Sequence, residues 1–356
     1  MDHRSLFSPF VVTLALAATS LAQTTVTINF SVNGTSRNAV VRVPNGAIKP
    51  PVVFFIHGYG GSGSGFQSDT KGNAVSDTAK FVAVYPSAIG GSWSMQDTSD
   101  YPFLLRLLDT VDARYKIDRN RVYCTGFSQG GFISFGVGYK HPETFAAVAP
   151  VSGHIPSFST SAPLKRAVPL FMTFGTNDVG TNNVADVSSF IADITTWSKL
   201  DTCNMASKKE VRPYPATNSK SVVARITYSC ASGTELMIDS VVGGPHEWAM
   251  DVSTKVNTTV EVWNFLKRFS LAGTTALQPS RAKDLGTGFS ATYQNGRVHL
   301  NGIESVRTVR VSDLKGAEIA TAAVVDGSFD LRQAPGTYLI TSTGESGQSA
   351  IKLTIP

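Results

Sequence analysis

The sequence is poor in cysteine and lacks the usual spacings of metal ligands. Three of its 356 residues are cysteine, and they are far apart in the chain. Structural zinc sites need several closely spaced Cys or His ligands, and many catalytic zinc sites use a His-Glu-x-x-His segment, which is absent here. The sequence therefore predicts no metal and no cofactor.

Long apolar runs are also missing, except near the N-terminus. Residues 6–21 are mostly apolar, follow Arg4 and lead into Ser-Leu-Ala at 20–22, with small residues at the two positions that a signal peptidase reads. The run is short for a transmembrane helix, and no later segment is long and apolar enough. We therefore expect a signal peptide at residues 1–22, a secreted protein and no membrane span. A buried N-terminal helix is the alternative, which the absence of a polar face disfavours.

Neither sign of charge dominates the sequence. The chain has 31 Lys and Arg against 26 Asp and Glu, which gives a net charge of +5, and the basic residues are scattered. Nothing in this pattern indicates a nucleic-acid partner. A modestly basic surface would favour acidic polysaccharides, and an ordinary solvated surface accounts for the charge equally well.

The most informative segment present is Gly-Phe-Ser-Gln-Gly at residues 126–130. It follows a short apolar run at 122–125 and opens into a helical pattern at 131–135. A serine on such a sharp strand-to-helix turn takes a strained backbone conformation, which lifts its hydroxyl clear of the sheet and puts the next N–H at a helix N-terminus. Ser128 is therefore the predicted nucleophile of a hydrolase. A chance glycine turn is the alternative.

A serine hydroxyl needs a base to take its proton and an acid to orient that base. His246 is the predicted base, because it follows an apolar strand pattern at 236–242. Asp178 is the predicted acid, because it follows the strand pattern at 169–174 and lies between the serine and the histidine in chain order. For Asp178 a turn aspartate that caps the next helix is the alternative. The other five histidines are assigned to the targeting segment, a glycine loop, a helix C-terminus, a structural position and the C-terminal region: His3, His57, His141, His154 and His299.

The tetrahedral intermediate of acyl transfer needs two N–H donors aimed at its oxygen. We expect one to be the amide of Gln129, directly after the nucleophile. We expect the other to be the amide of Tyr59, in the glycine-rich loop at 57–63. His57 suits this loop better than the role of base. A flexible glycine loop is the alternative, and a phosphate-binding loop is disfavoured because no Gly-Lys-Ser/Thr follows.

Several segments together resemble the secreted α/β-hydrolase esterases that include feruloyl esterases, acetylxylan esterases and poly(3-hydroxybutyrate) depolymerase-like enzymes. The resemblance runs from about residue 40 to residue 269. The motifs that carry it are His-Gly at 57–58, Trp93, Asp100 with Phe-Leu at 103–104, Asp-Arg-Asn-Arg-Val-Tyr at 118–123, the serine turn with its doubled glycine, Ala-Pro-Val-Ser-Gly at 149–153, Gly-Thr-Asn-Asp at 175–178 and the His246 loop. The resemblance implies an α/β-hydrolase fold in which Ser128, Asp178 and His246 are the catalytic triad.

The departures from the family pattern bear on the substrate. Depolymerase-like members often carry cysteine after His-Gly, where this sequence has Tyr59. The family often has glycine before the histidine and Pro-Gly after the tryptophan, where this sequence has Pro245 and, at 249–250, Ala-Met. The resemblance therefore favours an esterase of plant cell-wall polysaccharides, feruloyl esterase first. Acetylxylan esterase and poly(3-hydroxybutyrate) depolymerase-like activity are the alternatives, followed by a serine peptidase on the same fold and by a binding protein with an inert hydrolase domain.

Three side chains near these loops are predicted to contact the substrate, namely His57, Trp93 and Trp248. Trp248 lies beside the predicted base, and either tryptophan would stack on a sugar or an aromatic acyl group. Trp93 lies among glycine and serine residues, so we expect it to be exposed. Burial in the core is the alternative for both tryptophans.

The three cysteines fit an oxidising compartment. Cys203 and Cys230 flank a loop-rich stretch, and outside the cell they are expected to form a disulfide. The family that the sequence resembles carries a similar bridge there, and two separate buried thiols are the alternative. Cys124 lies in the strand before the serine turn and is expected to be a buried free thiol.

Apolar strands alternate with helical patterns up to about residue 269, which predicts a mainly parallel sheet covered on both faces. We assign residues 23–270 to the catalytic domain. Residues 271–290 are rich in Ala, Gly, Thr and Ser and read as a linker. Short alternating strands at 291–356 predict a small β-sandwich-like domain. The segments at 311–316 and 334–338 resemble the C-terminal sorting or anchoring domains of some secreted bacterial proteins, which implies contact with the cell surface or the secretion machinery. Carbohydrate binding and plain stability are the alternatives.

Overall fold

Strands and helices alternate through the N-terminal part of the chain. The architecture comes from a computed structural model, which describes residues 22–94, 99–156, 164–179, 187–272, 290–294, 297–301, 308–313, 318–325, 327–331, 336–344 and 347–355. The strands up to residue 241 are β1 (Thr24–Val32), β2 (Thr35–Val43), β3 (Val52–Ile56), β4 (Val82–Pro86), β5 (Val122–Phe127), β6 (Ala147–Val151), β7 (Leu170–Gly175), β8 (Lys209–Val211), β9 (Val223–Ser229) and β10 (Glu235–Val241). The α-helices are α1 (Gly63–Thr70), α2 (Gly72–Ala79), α3 (Asp100–Tyr115), α4 (Gln129–Lys140), α5 (Val187–Leu200) and α6 (Thr258–Leu266). The predicted signal peptide and linker lie almost wholly outside the described residues.

These ten strands form one sheet in the order β1-β2-β4-β3-β5-β6-β7-β10-β9-β8. The six middle strands, from β4 to β10, run parallel, and antiparallel strands extend the sheet at both sides. The predicted parallel sheet is therefore confirmed. Because the middle strands are parallel, the loops after β3, β5, β6, β7 and β10 all leave from one edge, which we call the carboxyl edge.

The two faces of the sheet bury separate hydrophobic clusters. Successive strand residues point to opposite faces, so Phe54 belongs to one cluster and Phe55 to the other. Helices α3, α4 and α5 cover the first face and α1 and α6 cover the second. The helical residues that do so on the first face include Leu104, Leu107, Phe135 and Trp197, and those on the second include Phe66, Val262, Phe265 and Leu266. Among the described residues, no helix combines the length and the apolar character that crossing a membrane requires.

The hairpin of β1 and β2 was not predicted, although its turn has a clear sequence signal. Asn33 and Gly34 form the two-residue connection, and both have positive φ angles, 50° and 79°. An Asn-Gly pair is the preferred sequence for a turn of this kind, because its twist matches that of the flanking strands. The hairpin adds two antiparallel strands to the side of the sheet that is remote from β10.

The chain divides into two compact units, residues 1–276 and 277–356. The strands of the second unit are β11 (Ser290–Gln294), β12 (Arg297–Asn301), β13 (Thr308–Asp313), β14 (Glu318–Ala323), β15 (Ser328–Asp330), β16 (Gly336–Gly344) and β17 (Gly347–Ile355). They form two antiparallel sheets, β11-β12-β15 and β14-β13-β16-β17, so the predicted small all-β region is confirmed. In β12 the side chains of Val298 and Leu300 are buried and His299 is exposed, as the alternation predicts.

Cys203 and Cys230 form the predicted disulfide, which joins the segment after α5 to the end of β9. The Asp201 carboxylate lies within 4.8 Å of both sulfurs, but these sulfurs are bonded to each other and are not available as thiolate ligands for a metal. Cys124 is a buried free thiol, as predicted, and its burial in the core raises its pKa to about 12.

Candidate active site

Ser128 lies on a strained turn between β5 and the first residue of α4. Its φ and ψ angles are 55° and −118°, a combination that non-glycine residues rarely adopt. The turn is held on both sides, because the Ser128 N–H donates to the Val151 carbonyl at 2.9 Å and the Ser128 carbonyl accepts from the Gly131 N–H at 2.8 Å. The strained turn that the sequence predicts is therefore present.

Two glycines flank this turn because the backbone passes very close to them. A methyl group on Gly130 would lie 2.0 Å from the Ile56 carbonyl oxygen, and one on Gly126 would lie 2.4 Å from the Gly130 carbonyl oxygen. Contacts this short would force the turn away from the neighbouring strand β3. The glycines of the motif therefore let Ser128 lie directly beside the loop that follows β3.

His246 and Asp178 form a close pair at the carboxyl edge. The His246 Nδ1 lies 2.7 Å from the Asp178 Oδ1, and the carboxylate is 2% exposed. The two loops are tied together, since the Asn177 N–H donates to the Gly244 carbonyl at 2.9 Å. With Nδ1 directed at the carboxylate, Nε2 is the ring nitrogen left to accept a proton.

Phe127 connects this pair to the serine. Its ring lies 4.6 Å from the His246 ring, and it directly precedes Ser128 in the chain. In the part of the chain that the structure describes, no hydrogen bond joins the Ser128 hydroxyl to His246. The structure thus brings the three residues to the same edge and bonds two of them directly. Hydrogen bonds of a nucleophile to its base are often looser in unliganded enzymes than in their complexes.

The glycine-rich loop after β3 lies against the serine turn. A methyl group on Gly58 would lie 3.3 Å from the Ser128 Cβ and 3.3 Å from the Phe127 carbonyl oxygen. Tyr59 is the next residue of this loop. On the other side, Gln129 is the first residue of α4, so its N–H has no acceptor in a preceding helical turn. Gln129 adjoins Ser128 and Tyr59 follows the glycine that lies against it, and their role in binding an oxyanion stays a prediction.

His57 is buried and fixes the loop that carries Tyr59. Its Nε2 accepts the Ala88 N–H at 3.0 Å, so the proton resides on Nδ1, which donates to the Gly58 carbonyl at 2.7 Å. Burial lowers the pKa of this imidazole below its ordinary value. The side chain is 1% exposed and forms part of a cavity wall. Because both nitrogens are engaged within the protein, only ring carbons are left for the predicted contact with a substrate.

Trp93 is buried, so the expected exposure was wrong. Its side chain is 2% exposed and its Nε1–H donates to the His57 carbonyl at 2.8 Å. Its backbone N–H donates to the Gln129 Oε1 at 3.2 Å. Although its neighbours are small, the ring is buried, because its indole N–H is bonded to the His57 carbonyl directly after β3. Trp93 therefore links the loop after β3 to the start of α4 and has no free face for a ligand.

A cavity of about 380 Å³ opens beside His246. The described residues that line it are His57, Gly58, Tyr59, Gly61, Ser62, Gly65, Phe66, Asp69, Phe127, His246, Glu247 and Trp248. Trp248 is half-buried, its Nε1–H donates to the Thr259 Oγ1 at 3.0 Å, and its ring meets that of Phe66 edge-on at 5.3 Å. Trp248 therefore lines the cavity beside His246, and its contact with a substrate stays a prediction. Sequence reasoning did not identify Phe66 or Asp69 as lining residues, although Phe66 is the one aromatic residue of the otherwise polar helix α1.

His154 follows β6 at the same edge and has its own carboxylate partner. Its Nδ1 lies 2.6 Å from the Asp193 Oδ2 on α5, and its ring stacks on Phe190 at 4.3 Å. The sequence gives His154 a structural role in preference to one in the site, and these contacts agree with that interpretation.

Comparison with known proteins places the chain in a broad family. Residues 51–235, slightly more than half of the chain, match the model of the α/β hydrolase fold. The chain is 27% identical over 244 residues to a bifunctional acetylxylan esterase/xylanase of Neocallimastix patriciarum. The aligned region covers 67% of this chain and 34% of that protein. It is 30% identical over 173 residues to feruloyl esterase D of Neurospora crassa, covering 45% and 59% of the two chains. The chain therefore spans about a third of the length of the first relative and well over half of the length of the second.

A solved structure agrees with the fold. The acetyl xylan esterase from Aspergillus awamori superposes with a TM-score of 0.50 at 17% identity, covering 62% of this chain and 94% of that one. The family match includes both Ser128 and Asp178, and the strained serine turn lies within it. The chain belongs to the α/β hydrolase family.

Proposed function

We propose that the protein is a secreted serine esterase that hydrolyses carboxylic esters of plant cell-wall polysaccharides. The observation that carries the proposal is the His246–Asp178 hydrogen bond at 2.7 Å, together with the packing of the His246 ring on Phe127, the residue before Ser128 on its strained turn. A histidine oriented by a buried carboxylate is the arrangement that activates a serine hydroxyl. The esterase names of the relatives support the same class of reaction.

The proposed mechanism is acyl transfer in two steps. His246 takes the Ser128 proton as the serine oxygen attacks the ester carbonyl, and the amides of Tyr59 and Gln129 hold the oxyanion that forms. His246 then gives that proton to the leaving alcohol, and an acyl-enzyme remains. Water attacks the acyl-enzyme with the same base and returns the free acid and Ser128. Asp178 holds the imidazole in the tautomer with the proton on Nδ1 and stabilises its charged form.

Feruloyl esters are the substrates that the cavity fits best. Its lining includes the aromatic side chains of Phe66, Phe127 and Trp248, and aromatic walls of this kind bind a flat aromatic acyl group well. Relatives named feruloyl esterase support this choice. Acetylxylan esterase is the second candidate, supported by the Neocallimastix relative, and poly(3-hydroxybutyrate) depolymerase-like activity is the third.

Secretion is part of the proposal. The Cys203–Cys230 disulfide is of the kind that persists in oxidising compartments, and the apolar segment before residue 22 has the sequence of a signal peptide. We propose that the C-terminal β unit sorts or anchors the enzyme or binds carbohydrate. Deleting residues 277–356 and following the distribution of the enzyme between cells and medium tests that role.

The test of the catalytic proposal is hydrolysis of methyl ferulate and of acetylated xylan by the parent and by Ser128→Ala. We expect ferulate release by the parent and a loss of about 10³-fold or more in the variant. The matched control is Ser134→Ala, because Ser134 is a buried serine of α4 whose hydroxyl donates to the Gly130 carbonyl at 2.9 Å. A fluorophosphonate probe labels the parent and Ser134→Ala but not Ser128→Ala.

The outcomes separate the alternatives. Acetate release without ferulate release moves the assignment to acetylxylan esterase and keeps Ser128 as nucleophile. Labelling of Ser128 without release of ferulate or acetate would favour the polyester depolymerase and peptidase alternatives. Equal labelling of the parent and Ser128→Ala would contradict the proposed nucleophile.

A further inference from the structure

Tyr59 holds an aromatic ring in solvent on a rigid loop. Its side chain is 74% exposed. The loop is fixed on both sides of it, because the Gly61 N–H donates to the Gly58 carbonyl at 3.1 Å and the Gly60 N–H donates to the Gly91 carbonyl at 2.8 Å. A fixed loop presents this ring in one place, so a ligand that stacks on it loses little freedom in ordering the protein.

A second exposed apolar side chain lies on the neighbouring loop. Ile89 is 53% exposed and begins the short turn Ile89–Gly91, which ends at the partner of the Gly60 N–H. The Ala88 N–H bond to His57 ties the same segment to the carboxyl edge. Tyr59 and Ile89, which together we call the platform, thus lie on two loops that are hydrogen-bonded to each other.

The platform is continuous with the cavity of the candidate site, because Tyr59 also lines that cavity. A volume of about 380 Å³ accommodates an acyl group and not the polymer that carries it. For an ester on a polysaccharide, the sugar chain must therefore stay outside the cavity mouth. An exposed aromatic ring at that mouth offers a flat apolar surface for the apolar face of a sugar ring.

The charged side chains of the site favour neutral polysaccharide chains over acidic ones. Among the described residues that line the cavity, the carboxylate side chains are Asp69 and Glu247, and none is Lys or Arg. Glu247 is paired with Lys255, whereas Asp69 is exposed at the mouth. An acidic polysaccharide would meet like charge there, and a neutral one would find hydrogen-bond acceptors for its hydroxyl groups.

We propose that the platform of Tyr59 and Ile89 binds the neutral polysaccharide chain next to the ester that enters the cavity. This inference rests on the proposed function and adds the polymer subsite to it. It gives the Tyr59 side chain a role in substrate choice that is separate from the role of its backbone amide.

The first experiment compares a feruloylated arabinoxylan oligosaccharide with methyl ferulate. We expect Tyr59→Ala to lower the ratio of kcat/KM for the oligosaccharide to kcat/KM for methyl ferulate by about fivefold to tenfold, and Tyr59→Phe to keep it. Ile89→Ala lowers the ratio by a smaller factor. Ile48→Ala is the matched control, because Ile48 is 62% exposed and precedes β3, at the opposite edge of the sheet. Equal ratios in Tyr59→Ala and the parent would overturn the inference and leave the proposed function intact.

The second experiment measures binding without chemistry. In the full-length Ser128→Ala protein, calorimetry with an unesterified xylo-oligosaccharide should show binding that a further Tyr59→Ala weakens at least fivefold and Ile48→Ala does not change. An oligogalacturonate should bind more weakly than the neutral oligosaccharide. If the parent fails to hydrolyse any ester, the proposed function fails, and this measurement still decides on the platform. Binding that is unaffected by Tyr59→Ala, or tighter for the acidic oligosaccharide, contradicts the inference.

Discussion

Two histidine–aspartate pairs lie at the same edge of the sheet and have nearly the same bond. The Nδ1 to carboxylate distance is 2.7 Å for His246 and Asp178, and 2.6 Å for His154 and Asp193. The two histidine side chains are similarly accessible, with 28% and 31% exposed. The hydrogen bond and the exposure of the ring therefore do not distinguish a base from a structural histidine.

The surroundings of the two pairs differ. The His246 ring packs on Phe127, which precedes Ser128, and lines the cavity, whereas the His154 ring stacks on Phe190 of α5. Asp178 is almost completely buried, while Asp193 is 14% exposed on a helix. The role of an oriented imidazole therefore depends on the side chains that surround it.

Replacing each histidine in turn should give the largest difference in kcat between the two pairs. We expect His246→Gln to reduce kcat for methyl ferulate by on the order of 10⁵-fold, because no group is left to accept the serine proton. His154→Gln should change kcat by less than about tenfold, since its ring stacks on Phe190 of α5 and is not among the described residues that line the cavity beside His246. Steady-state rates of both variants, after circular dichroism shows them folded, provide the measurement. Comparable losses in the two variants would mean that both pairs take part in the reaction.

Replacing each aspartate in turn should give the next largest difference in kcat. Asp178→Asn keeps the shape of the side chain but favours the wrong imidazole tautomer, so we expect a loss of about 10⁴-fold in kcat. Asp193→Asn should leave kcat within a few-fold of the parent. The pair of variants is measured on methyl ferulate at one pH. A loss in Asp193→Asn as large as that in Asp178→Asn would show that the structural assignment of the second pair is incorrect.

His57, the third histidine at this edge, differs from both pairs because its two ring nitrogens are bonded to backbone groups. Its pKa is lowered by burial, so the folded protein binds this proton less readily than the unfolded chain. The stability that neutral His57 contributes is therefore complete above its ordinary value of about 6.5 and is lost as the pH falls through the lowered pKa.

We expect His57→Gln to lower the free energy of unfolding by about 1–3 kcal/mol near pH 8, since two buried hydrogen bonds are disturbed. The difference from the parent should shrink as the pH falls below about 6.5, because the unfolded parent then takes up a proton that folded His57 binds less readily. Urea unfolding of both proteins from pH 5 to pH 8 checks this. A difference that is constant across that range would contradict the protonation argument.

Much of the candidate site was predictable because its signals are local. The strained serine turn follows from glycines at fixed positions around Ser128, and the order of serine, aspartate and histidine follows from strand ends along the chain. The predicted disulfide required only two cysteines in the right class of protein. The hairpin at Asn33 and Gly34 had an equally local signal, which the sequence analysis overlooked.

The errors and omissions concern residues whose surroundings come from distant segments. Trp93 is flanked by small polar residues, which indicates exposure, but it is buried because the His57 carbonyl accepts its indole N–H. Phe66 lines the cavity only because α1 packs next to the His246 loop. Nothing in the sequence around Ile89 shows that its turn is bonded to the loop of Tyr59.

The sequence by itself determined the alternation of strands and helices, the strained serine turn and the identity of the side chains that have acid–base chemistry. These depend on backbone sterics and on patterns within a few residues. Only the tertiary contacts show which histidine–aspartate pair lines the cavity, why Trp93 is buried, and which apolar side chains remain exposed. The physical reason is that burial and hydrogen-bond partners at a sheet edge are set by loops that lie 31 to 68 residues apart in the chain.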